Sequence, residues 1–303
     1  MQSVDWRATS VPELRAILVS ERLAELQMFR NLPADLDAIA IKSLEETRSR
    51  ETLTAHRFAR NLAAGEMFWV SADMAAVALD AAADIPGSTM LTDLPTPNGF
   101  MVLEKPLPPL DSWIHSAGRK RTEVQLEVDS LAWTTADGET KIESFCRSER
   151  VQTSIYGTNY FEPVRYFSNY SHAYQDFSDP ELGENATRLV SFLAAAAILM
   201  STPGVATKTR SEPRTKANRK AAKKYHSTNV TVITLNSPKS VSTEARDSAG
   251  RSYTHRWLVR GHWRQQPHGI ESKQRRTQWI PSYVKGPEGL PLKETERVWA
   301  WTR

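Results

Sequence analysis

The chain has 303 residues, of which 40% are hydrophobic and 24% charged, with a formal net charge of +4. That size and balance exclude a disordered polyelectrolyte and leave room for two or three domains around a substantial core. The single cysteine, Cys146, excludes an intrachain disulfide, and the longest apolar run, Val190 to Met200 broken only by Ser191, falls far short of the ~20 residues that span a bilayer.

The start, MQSVDWRATSVPELRAIL, has no basic stretch leading into an apolar run, so no secretory leader is expected. With the lone cysteine, this gives the expectation of a cytoplasmic protein without a membrane partner. From Val11 to Phe29, apolar residues such as Val11, Leu14, Ile17 and Leu18 recur at helical spacing. Further helices are predicted over 35–48 and 51–64, the second closed by Gly65. Phe68-Trp69-Val70 is a short apolar block, and Ser71 is placed to N-cap an Ala-rich helix over Ala72–Ala83.

Between residues 85 and 112, Pro86, Pro95, Pro97, Pro106, Pro108 and Pro109 exclude continuous helix. One strand, Gly99–Glu104, is predicted inside that irregular stretch. Val124, Leu126, Val128 and Trp133 then alternate along a strand, Ala136-Asp137-Gly138 turns, and Lys141–Cys146 returns as a hairpin. Residues 156–177 are rich in Tyr and Phe, which are expected to be core more than base-stacking groups. The helix Asn185–Met200 is apolar on most faces and is expected at the centre of the core, ended by Pro203-Gly204. A strand is predicted at Val230–Leu235. The end of the chain is predicted as a small antiparallel sheet from 253–265, 274–283 and 297–302. The fold class expected is α+β: a helical N-terminal region, a mixed middle region and a small C-terminal β module. The domain expectation is an acidic unit at 1–200, a basic arm or linker at 201–227, and a Trp-rich β module at 228–303.

The charge is split end to end. Residues 201–303 carry 21 Lys+Arg against 7 Asp+Glu, a net of +14, and residues 1–200 carry 18 against 28, a net of −10. A basic third of this kind points to a polyanion, most simply DNA or RNA. Its densest part holds Lys208, Arg210, Arg214, Lys216, Arg219, Lys220, Lys223 and Lys224 against one acid, Glu212. Each cation that neutralises a phosphate releases counterions, so such a cluster gives salt-sensitive, largely sequence-independent affinity. The bland alternative is a solvated linker whose charge aids solubility.

The second cluster is Arg256 to Arg264. In an unbroken strand Arg256, Leu258, Arg260, His262 and Arg264 share one side, with Trp257, Val259 and Trp263 on the other and Gly261 marking a bulge or close approach. Arg275, Arg276 and Lys285 extend the basic set. The tryptophans are expected to be core, because large aromatics dominate small cores.

No catalytic or metal motif is complete. His255, His262 and His268, seven and six residues apart, fit no common zinc spacing, so no metal or cofactor is expected. No phosphate-binding GxxxxGK[ST], no GxGxxG, GxSxG, HExxH or CxxC is present. His262 with Arg264, Arg276 or Lys285 supplies the residue types of a metal-independent ribonuclease, a third reading that geometry must decide.

Two blocks carry a resemblance. THRWLVRGHWRQQPHG with RRTQWIPSYVKGPEGLPL, and FWVSADMAAVALDAAADIPG with LPTPNGFMVLEKPL, resemble uncharacterised proteins of actinobacteria and their phages. The resemblance implies a bacterial or phage setting and transfers no catalytic residue. The leading expectation is a nucleic-acid-binding regulatory or phage–host conflict protein. The alternative is a protein-interaction module, meeting an acidic protein or a second copy of itself through charge.

Overall fold

Two short apolar runs, Met67–Val70 and Phe100–Leu103, set the architecture. Successive side chains of a strand point to opposite faces, so a strand apolar at every position must be covered on both. The computed structural model shows this sandwiching. It describes residues 6–28, 59–86, 91, 94–114, 122–136, 139–147, 167–171, 184–212, 214–225, 229–236, 254–286, 290, 291 and 293.

The described elements are α1 (Val11–Met28), β1 (Glu66–Val70), α2 (Ala72–Ala83), β2 (Asn98–Ile114), β3 (Thr122–Ala136), β4 (Glu139–Phe145), β5 (Phe167–Ser171), α3 (Glu184–Ser201), β6 (Ala206–Ser211), α4 (Lys216–Lys224), β7 (Val230–Leu235), β8 (Trp257–Val259), β9 (His262–His268), β10 (Gln274–Ile280) and β11 (Tyr283–Lys285). The protein is α+β. Seven strands form one sheet in the order β5-β4-β3-β2-β1-β7-β6. β1 runs parallel to β2 and to β7, and the other neighbours pair antiparallel.

One face carries Phe68, Val70, Met101, Leu103, Leu131, Trp133, Ile142 and Ile233 against α2 and α3. The other carries Met67, Trp69, Phe100, Val102, Ala132, Phe145 and Val230 against α1 and the helical residues Ala59 and Leu62. α3 is buried along nearly its whole length, as its apolar faces require. Ser71 does cap α2, accepting from the Met74 backbone N–H at 3.3 Å. Among the described residues no helix is long and apolar enough to cross a membrane.

Four findings depart from the sequence expectations. β2 runs on to Ile114 instead of stopping at Glu104, and its pairing with β3 shifts register between Val102 and Leu107 and again between Leu107 and Leu110. Pro106, Pro108 and Pro109 lie in those two intervals, where a missing N–H costs the ladder least. Second, 206–211 is not an arm but the edge strand β6, hydrogen-bonded along β7. Third, β7 lies inside the large sheet beside β1, so Val230–Leu235 does not belong to a separate C-terminal module. Fourth, the C-terminal strands form two ribbons, β9 with β10 and β8 with β11. The strand predicted over 253–265 stops at Val259 and resumes at His262, at the glycine the sequence marks as a bulge or close approach. Gly261 occupies the break, and a Cβ there would lie 2.5 Å from the Trp279 ring. The predicted helix at 35–48, most of the aromatic segment 156–177, and the strand at 297–302 lie outside the described residues.

Candidate nucleic-acid interface

The basic residues at 208–224 sit on two elements. β6 presents Lys208 and Arg210 on the open edge of the sheet, both exposed, in register with Ile233 and Thr231 of β7. Cationic side chains on an exposed edge also discourage strand-to-strand aggregation, which is reason enough for their presence. α4 follows after Thr215 caps its start, the hydroxyl accepting from the Asn218 N–H at 3.1 Å. Its buried positions are Asn218, Ala221 and Ala222. Lys216, Arg219, Lys220, Lys223 and Lys224 are exposed. The helix is therefore amphipathic with a cationic outer face, and Lys216, Lys220 and Lys223 form one stripe at helical spacing.

Two of these cations have local contacts. Arg219 Nη2 donates to the Arg214 carbonyl at 2.9 Å, and the Lys224 ammonium lies 5.2 Å from the Tyr225 ring centroid. Lys223 and Lys224 also occupy the last turn, where the helix dipole favours positive charge.

The second basic cluster is divided by the strand break. Cross-strand register puts His262, Arg264, Gln266 and His268 of β9 on one face with Ile280, Gln278, Arg276 and Gln274 of β10. His262, Arg264, His268 and Arg276 are exposed there. Trp263 and Trp279 point the other way, their rings edge to face at 5.0 Å. Trp279 is 4% exposed, and Trp263 Nε1 donates to the Ala81 carbonyl of α2 at 2.8 Å. These two tryptophans anchor the ribbon to the body.

The remaining residues of that cluster go elsewhere. Arg260 forms an ion pair with Asp80 of α2. Arg256 Nε donates to the Leu290 carbonyl at 2.8 Å. Arg275 lies on the tryptophan side of the ribbon, its Nη1 donating to the Ser272 carbonyl at 3.3 Å. Lys285 is on β11, opposite Trp257. The structure thus brings His262, Arg264 and Arg276 together and separates them from Arg256, Arg260, Arg275 and Lys285. It also places the two basic clusters on different layers: α4 packs on α1, and the β9–β10 ribbon packs on α2 and α3.

His262 Nδ1 lies 3.3 Å from the Arg260 carbonyl oxygen. Among the described residues no three His, Cys, Asp or Glu side chains gather into a possible metal site. Burial, reinforced by Asp129, pushes the thiol of the half-buried Cys146 up to about 12, which disfavours the nucleophilic thiolate. Native protein is expected to react with a disulfide reagent at pH 8 more slowly than protein unfolded in guanidinium. Equal rates would show that the thiol is open.

The residue missed by sequence reasoning is Arg15. It lies on α1 with 0% exposure, the largest fully buried side chain, and its Nη1 donates to the Gly65 carbonyl at 2.8 Å. Only its position four residues after Val11 and four before Val19, both buried, hinted that it faces inward.

No curated protein matches this chain. One protein family does, over residues 68–286, a span that runs from β1 through β11 and takes in α4 and both C-terminal ribbons. That span is most of the chain, and its description fits the expected setting of phage–host conflict: the chain belongs to the AcrVA2-like family, anti-CRISPR type V subtype A2.

Proposed function

We propose that the protein acts against type V CRISPR immunity by binding nucleic acid through its basic C-terminal third, with the outer face of α4 as the principal contact. The observation that carries this reading is the division of α4 itself. Its inner positions are alanines and one asparagine, and its outer stripe is Lys216, Lys220 and Lys223, all exposed. A cationic stripe on a rigid helix tracks a phosphate backbone without reading bases. Lys208 and Arg210 on β6, and Arg264 with Arg276 on the β9–β10 ribbon, supply further phosphate contacts on separate surfaces. The family description supports the conflict setting; the nucleic acid is inferred from charge and exposure.

The test is a mobility shift with duplex DNA, single-stranded DNA and RNA at two salt concentrations. Charge reversal of Lys216, Lys220 and Lys223 to Glu is expected to weaken binding strongly. It is also expected to flatten the log–log salt slope by about 3, one for each phosphate that is no longer neutralised. Absence of binding to all three nucleic acids at low salt would overturn the reading. Binding of an acidic protein by the same stripe, with no nucleic-acid binding, would replace it with the interaction module.

A further inference from the structure

The inner side of α4 holds a second feature, independent of the outer stripe. Arg15 of α1 meets Tyr225, just after α4, where these helices pack, and Asn218 is buried on α4 along with Ala221 and Ala222. Five of their buried polar atoms have no hydrogen-bond partner: Arg15 Nε and Nη2, Asn218 Nδ2 and Oδ1, and the Tyr225 hydroxyl. The Arg15 guanidinium carbon lies 5.7 Å from the Tyr225 ring centroid. Buried polar groups are ordinarily paired, and an unpaired buried cation is the most costly case. Burial pulls the Arg15 pKa down only to about 10, so it remains a cation at neutral pH.

We propose that Arg15, Tyr225 and Asn218 form an oxyanion site in the seam between α1 and α4, and that its ligand is a phosphate. Arg15 Nε and Nη2 form one edge of the guanidinium fork, which matches two oxygens of an oxyanion. A carboxylate can accept from the Tyr225 hydroxyl and Asn218 Nδ2 through its spare lone pairs, but it has no proton for Asn218 Oδ1 and only two oxygens. A phosphate has four. Its third oxygen accepts from the Tyr225 hydroxyl or Asn218 Nδ2, and the one hydroxyl of hydrogen phosphate, or of a terminal phosphate held as its monoanion, donates to Asn218 Oδ1.

Access requires α4 to lift from α1. The buried face of α4 consists of Asn218 and the two small residues Ala221 and Ala222, with the Tyr225 ring packed just after it. A phosphate sealed behind a helix is either free or terminal, since an internal phosphodiester would drag the neighbouring nucleotides in with it. The ligand is therefore inorganic phosphate or the terminal phosphate of a nucleic acid.

The full-length protein is titrated with inorganic phosphate at constant ionic strength, with chloride as control, and thermal unfolding is followed. The melting temperature is expected to rise saturably at low millimolar phosphate and not with chloride, because a ligand bound only to the folded state stabilises it; a rise that grows without saturating is the general salting effect of phosphate and overturns the proposal. Arg15→Gln keeps a donor for the Gly65 carbonyl and removes the charge; it is expected to weaken phosphate at least tenfold, and Tyr225→Phe severalfold. Neutralising Lys216, Lys220 and Lys223 to Gln is expected to leave the phosphate response in place while weakening oligonucleotide binding, which separates this site from the outer stripe. Tighter binding of a 5′-phosphorylated oligonucleotide than of its 5′-hydroxyl twin assigns the terminal phosphate; equal binding assigns free phosphate. Identical melting in phosphate and chloride overturns the proposal, and so does a phosphate response that disappears with the outer lysines. If Arg15→Gln does not fold, the wild-type titration and Tyr225→Phe still decide.

Discussion

A chain cut after residue 200 is expected to lose its native fold along with its basic third. The cut removes β6 and β7, and β7 is the strand that flanks β1 on the side away from β2. Val230 and Ile233 of β7 are both 0% exposed, each filling a different face of the sheet. Burial of each contributes about 1.5–3 kcal/mol. Trp279 goes with them, and with it the ring that joins the β9–β10 ribbon to the core around α2 and α3. The β1 edge left behind is flat, apolar and unpaired, which is a template for aggregation. The fragment 1–200 is expected to bind a hydrophobic dye and to show no near-ultraviolet dichroism, the marks of disrupted packing. A fragment ending at residue 250 keeps β7 and is expected to unfold cooperatively, at a lower temperature than the full chain. A cooperative, dye-free 1–200 would show that β7 is dispensable.

The reason this is hidden in the sequence is specific. β1 and β7 pair in parallel across some 160 residues, with Met67 opposite Val230, and no local pattern announces such a partner. The local signals read correctly: Ser71 before an Ala-rich run, the alternation from Val124 to Trp133 with its return at Lys141–Phe145, and the apolar helix before Pro203-Gly204. β6 reads as an arm in the sequence because Thr207 to Arg210 lacks apolar residues. An edge strand with both faces exposed needs none, since its backbone bonds to β7 hold it. In the candidate interface, exposure of the α4 lysines is legible from composition. The diversion of Arg260 to Asp80 is not: Gly261 marks the break in the sequence, but nothing local shows that the break turns Arg260 toward a carboxylate 180 residues away on α2.

Gly99→Ala is expected to be among the most destabilising single changes in the protein, although it adds one methyl group. Gly99 of β2 lies directly opposite Trp133 of β3. The indole folds across the glycine, so that a Cβ would sit 2.0 Å from Trp133 Cζ2, a distance no side chain tolerates. The ring has little freedom to retreat. Its Nε1 donates to the Thr96 carbonyl at 2.8 Å, and its other side stacks on Phe68 at 5.7 Å between centroids. Trp133 is 2% exposed and belongs to the core that α2 and α3 cover. The added methyl therefore ejects the ring or forces β2 and β3 apart, at a cost of about 3 kcal/mol or more, comparable to truncating a buried tryptophan. The two residues must be coupled if this account holds. Trp133→Ala removes the clash partner, so Gly99→Ala made on that background is expected to cost less than about 1 kcal/mol in denaturant unfolding, well below its effect in the native sequence. Additive losses in the double variant would show that the glycine serves the backbone and not the ring laid over it.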